Sequence, residues 1–187
     1  MTTSLLALWM PILLSAVIVF IVSSIIHSVT PWHKNDYSLM PREAEVMAAL
    51  RPFNMPPGDY MTPRPMSMED MKSAEFTAKM AAGPVMITTV LPSGPMNMGR
   101  NLGLWFAYLL IVGTVAAFVG AYSLPPYSGY RGVFRIIGVV SFAGYSLALL
   151  QMHIWYHRAL GSTLRSVIDG ILYAALTAGT FGWLWPR

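Results

Sequence analysis

Apolar positions run almost unbroken through four windows of the chain, residues 4–26, 102–123, 136–155 and 167–185, while most charged positions lie between them. Crossing about 30 Å of hydrocarbon takes roughly 20 residues at 1.5 Å of rise each, so the pattern predicts four transmembrane helices. The first window lacks a basic n-region, has an apolar core too long for a secretory signal, and is followed by no A-x-A-like site. It reads as a retained anchor.

The polar stretch between the first two windows is too long for a bare connection. Pro41, followed by Glu43 and Glu45, predicts a short helix through Arg51, because proline suits a first turn and acids suit the positive end of the helix dipole; Pro52 stops it. PPGDYMTPRP reads as a rigid connector. Ser67 with Asp70 three residues on resembles a capping box opening a helix through Ala82, closed by Gly83 and Pro84. VMITTVL is β-branched and predicts a strand, paired with GDYMT. The expected fold class is therefore an all-α membrane protein: a transmembrane helix over 1–26, a small α+β extramembrane loop domain over 27–101, and a three-helix transmembrane bundle over 102–187.

Composition sharpens this picture. Apolar residues make up 55% of the chain and charged residues 11%, outside the range of a soluble domain. Tryptophans 9, 32, 105, 155, 183 and 185 all lie near window ends, as expected of rings that sit at a membrane boundary. The net charge of +4 suggests no nucleic-acid partner, because the loop segment is balanced and the excess arginines flank spans, where lipid headgroups are the natural partner. Lys34 and Arg42 after the first span favour a cytoplasmic loop and external termini. The absence of cysteine removes disulfides and thiolate chemistry.

Four spans place His27, His33, His153, His157 and Asp169 at one membrane face. In HIWYH, helical spacing puts His153 and His157 about 40° apart, so they can share Zn²⁺ or Cu²⁺ with His27 or Asp169 as a further ligand. A haem would instead need His27 or His33 opposite one of that pair. The competing reading is a belt of amphipathic rings beside Trp155 and Tyr156. Asp169, placed in the first turn of the last span with Arg165 one turn earlier, reads as a capping and pairing residue, although an intramembrane carboxylate is by default a functional candidate. The methionines of PMSMEDM and PMNMG suit soft metals, but packing and adaptable contact surfaces are the favoured use. Small residues four apart, such as Gly113 with Ala117 and Ala178 with Gly182, predict close helix packing, within one chain or between copies. No phosphate-binding, dinucleotide or hydrolase motif occurs in the sequence.

The stretches SSIIHSVTPWHKNDY, PPGDYMTPRP, GPVMITTVLPSGPMNMGRNLGLWFAY, YSLALLQMHIWYHR and LTAGTFGWLWPR resemble a family of short bacterial inner-membrane proteins with no assigned activity. The resemblance runs through nearly the whole chain and implies a bacterial inner membrane and a shared architecture, but no functional residue. The residues then favour a non-enzymatic protein acting by association, with copies of itself or as an accessory subunit of a larger membrane assembly. A metal or haem protein is the alternative, and a channel or transporter the third reading.

Overall fold

A computed structural model describes residues 3–125 and 127–186. Four helices are long and apolar enough to cross a membrane, over Leu5–Ser28, Met98–Ser123, Tyr130–Tyr156 and Leu160–Leu184, as in a multi-pass membrane protein. The chain divides into two compact units, one of residues 1–38 and 97–187, the other Leu39–Met96.

In the helical unit, a short 3₁₀ turn leads into α1 (Trp9–Ser28). The hydroxyls of Ser15, Ser23 and Ser24 return to carbonyls three or four residues earlier, which satisfies them inside an otherwise apolar helix. The remaining helices of this unit follow the other segment in chain order and are described after it.

The Leu39–Met96 unit contains α2 (Glu43–Leu50), β1 (Gly58–Thr62), α3 (Met68–Met71), α4 (Ala74–Ala82) and β2 (Met86–Val90). The two strands pair antiparallel with Gly58 opposite Val90 and Thr62 opposite Met86, the pairing expected from GDYMT and VMITTVL. Helix α2 starts two residues after Pro41, because Arg42 adopts a left-handed conformation and pairs with Glu45. The helix expected over 67–82 is two. Ser67 caps the Asp70 amide, but Ser73 captures the amide of Phe76 and begins a new helix, the local competition that serine offers a helix interior. Phe76 is the one buried residue of the unit. Its methionines therefore do not fill a core: Met47, Met66, Met68 and Met96 are all more than half exposed.

The helical unit resumes with α5 (Met98–Ser123), α6 (Tyr130–Phe142), α7 (Leu149–Tyr156) and α8 (Leu160–Leu184). A π-helical turn over Ala143–Leu147 joins α6 to α7 within one span. Two apolar clusters hold the bundle. One gathers Leu8, Ala117, Val133, Ile137, Phe181 and Trp185; the other gathers Ala16, Val19, Leu109, Val112, Tyr145 and Tyr173.

Several of the small residues are used within the chain, although Ala175 stays exposed. A Cβ on Gly120 would sit 2.8 Å from Ile137 Cδ1, and one on Gly182 2.7 Å from Tyr130 Cδ2. Gly113 lies against Ile12 and Ser15 of α1. These contacts let helix backbones approach closely, the arrangement that dispersion needs where lipid supplies no hydrophobic drive.

Candidate metal centre and adjoining cavity

The end of α1 and the segment that follows it fold back against α8. His27, in the last turn of α1, stacks face to face on His33 with ring centroids 4.2 Å apart. Asp169 lies in the third turn of α8, because that helix begins at Leu160, seven residues before the start of the apolar window. One ligand atom each from His27, His33 and Asp169 lie within 4.8 Å of one another.

Each of the three is held from behind. His27 Nδ1 is 3.0 Å from the Ser23 carbonyl, to which it donates, so Nε2 keeps its lone pair. His33 Nδ1 is 2.8 Å from Asp36 Oδ2, and Asp36 Oδ1 accepts from Arg165 Nε at 2.7 Å. Asp169 Oδ1 accepts from Trp32 Nε1 at 3.0 Å, which leaves Oδ2 facing His33 Nε2 at 2.7 Å. Carbonyl and carboxylate partners of this kind fix the tautomer and orientation of metal-binding imidazoles.

The carboxylates are shared between partners. His33 faces a carboxylate through each ring nitrogen, and Arg165 pairs with the other oxygen of Asp36. Burial opposes ionisation of Asp36, but the hydrogen bonds and charges of His33 and Arg165 outweigh it and hold its pKa below the ordinary value. Arg165 thus pairs with Asp36 while Asp169 is taken by Trp32 and His33, so the expected pairing between them does not form, and the longer helix removes Asp169 from the first turn.

Of the proposed ligands, His27 and Asp169 come together. They meet His33 rather than His153 or His157. Helix α7 ends at Tyr156, and His157 turns left-handed at φ 52°, so the i, i+4 relation of HIWYH is broken. His153 Nδ1 donates to the Arg158 carbonyl at 2.8 Å and helps to close the helix end. Neither belongs to a ligand cluster among the described residues. The supporting roles of Trp32, Asp36 and Arg165 were missed; the local signal was PWHKND, which places an acid three residues after a histidine.

His27 and Asp169 also line a cavity of about 850 Å³. It extends from them along α1, α5 and α8 to Trp105, Tyr108, Tyr145 and Tyr173. The π turn shapes its wall: the freed Gly144 carbonyl accepts from Tyr108 Oη at 2.6 Å, and Ser146 packs on Gly170 of α8. Trp105 Nε1 donates to Ser23 Oγ at 2.9 Å. No protein-family model, curated protein or solved structure matches the chain.

Proposed function

We propose that this chain is a multi-pass membrane protein that binds a divalent transition-metal ion, Zn²⁺ in the first instance, through His27, His33 and Asp169. The observation that carries the reading is that all three donors are oriented from behind by separate partners, with their remaining lone pairs gathered within 4.8 Å. Two imidazoles and one carboxylate are a ligand set that zinc accepts with a fourth position open for water or another oxygen ligand. Bonds of about 2.0–2.2 Å in a tetrahedron separate donors by about 3.4 Å. The ion therefore requires the three atoms, up to 4.8 Å apart, to draw in by up to about 1.4 Å and the His33–Asp169 contact, now 2.7 Å, to open. The ion would be held where His33 Nε2 and Asp169 Oδ2 now meet. The bound ion would supply Lewis acidity to the cavity that His27 and Asp169 line.

Elemental analysis of protein purified from its native membrane tests this. One equivalent of metal per chain is expected, reduced by chelation and by His27→Ala with His33→Ala. Protein that carries no stoichiometric Zn, Cu or Fe, and that takes up none on dialysis, overturns it.

A second reading, association, rests on the Leu39–Met96 unit. A segment of this size with one buried residue does not stabilise itself by burial, and its exposed methionines suit an adaptable contact with another membrane subunit or a second copy. Native mass measurement in mild detergent checks it: a monomer that co-purifies with nothing counts against it. The placement that fits both readings is a bacterial inner membrane with termini outside and residues 27–101 cytoplasmic. Labelling of single cysteines introduced into the cysteine-free chain reads that orientation directly.

A further inference from the structure

The cavity beside the proposed metal centre has two unlike ends. The last turn of α1 and the first turn of α5 bring His27, Ser28 and Asn101 to one end with Asp169, while Trp105, Tyr108, Tyr145 and Tyr173 line it further along α5, the π turn and α8. Polar groups remain for a ligand at the first end, where His27 and Asp169 are proposed metal donors and Ser28 and Asn101 add a hydroxyl and an amide. At the second end most are spent or sealed. Trp105 Nε1 donates to Ser23 Oγ, Tyr108 Oη donates to the Gly144 carbonyl, and the Tyr173 hydroxyl is buried out of reach. A ligand there meets mainly ring and aliphatic carbon, and the lining as a whole is mostly apolar.

The cavity is open rather than enclosed, is bounded by helices long and apolar enough to cross a membrane, and has a volume within the usual range for a small-ligand site, about 300–1,000 Å³. Charge then selects the head group. Asp36 and Arg165 offset each other as a pair, so Asp169 alone stands against the double charge of Zn²⁺. The loaded centre keeps net positive charge and an open coordination position, whereas the same centre without metal presents the Asp169 carboxylate, the inversion of local electrostatics that a bound cation brings. An anionic oxygen is favoured in the first state and repelled in the second.

We propose that this cavity binds a single-chain amphiphile with an anionic oxygen head, a fatty carboxylate or an alkyl phosphate, the head at the metal beside Asn101 and the tail along Trp105 and Tyr173. The proposal rests on the metal reading of His27, His33 and Asp169 and names what its open position takes. A neutral head would gain little from the loaded centre, and a cationic head would favour the metal-free one.

The test is saturation binding of radiolabelled laurate to the full chain in mild detergent, zinc-loaded and chelated, with metal content measured on the same samples. Saturable binding to the loaded protein is expected, weakened about tenfold or more by chelation, the effect of one charged contact. Dodecyl phosphate should compete and dodecanol should not; the tighter of laurate and dodecyl phosphate names the head. Leu149→Trp fills part of the lining without touching a metal donor and should weaken laurate binding at unchanged zinc content. Equal binding with and without chelator in protein that does hold zinc, or competition by dodecanol as strong as by laurate, overturns the amphiphile and leaves the metal standing. Laurate binding to Leu149→Trp as tight as to wild type places the ligand outside the cavity and also overturns it. Protein that takes up no zinc fails the metal reading, and this proposal falls with it.

Discussion

Asp169→Asn replaces one oxygen by an amide nitrogen and removes one charge, and the structure sets what that does. Asp169 is 5% exposed, and its two oxygens serve two donors, Trp32 Nε1 at 3.0 Å and His33 Nε2 at 2.7 Å. An amide has one acceptor oxygen, so in either orientation its NH₂ opposes a donor. If the oxygen serves Trp32, the charged bond to His33 is lost; if it serves His33, the indole N–H is orphaned. Asp36 is then left alone against His33 and Arg165. Removing one partner of a buried pair costs about 3–5 kcal/mol, and His33 keeps its bond to Asp36, so we expect about 3 kcal/mol. Reversible unfolding in mixed detergent measures this, and a double-mutant cycle with His33→Gln isolates the contact, with a coupling of about 1.5 kcal/mol or more expected. A variant within about 0.5 kcal/mol of wild type, or one additive with His33→Gln, would refute the His33–Asp169 pairing.

Other outcomes follow from the same geometry. Because the Asp36 pKa is depressed in the folded chain, its contribution is full above the ordinary aspartate range and is lost as pH falls through the folded value. Wild-type unfolding is thus expected to become easier below about pH 4, with a smaller acid dependence in Asp36→Asn; identical profiles would remove Asp36 from the network. Gly170→Ala drives a methyl into Ser146 Oγ and to 3.2 Å from the Tyr145 Cβ, so thermal unfolding should show a loss of about 1–3 kcal/mol from overpacking. Removing His153 and His157 together should leave metal content unchanged, as elemental analysis would show, since neither joins the His27 cluster. Ser73→Ala deletes the cap on the Phe76 amide and should cost about 1 kcal/mol, read as faster hydrogen exchange at α4.

Much of the architecture is legible along the chain because its cause is local. Hydrocarbon requires about 20 apolar residues in a row, and that count places four long helices whose cores coincide with the four windows. The strand pair is equally local in origin, since a β-branched run between prolines has few other conformations. The break at Ser73 shows the limit: two serines compete as caps, and the sequence carries both signals at once.

The site depended on distance that no periodicity records. Periodicity placed His153 and His157 together, but a helix end is decided by the residue at which the chain can turn left-handed, and here that residue is His157 itself. His33 and Asp169 are 136 positions apart and Asp36 and Arg165 are 129 apart. They meet because two apolar clusters bring α1 against α8 and carry the segment after α1 down onto its first turns. Local composition thus determined that this chain makes four apolar helices and a small two-stranded segment. Only tertiary packing decided which imidazoles face a common carboxylate, because side chains so far apart in sequence are positioned by the helices that bear them.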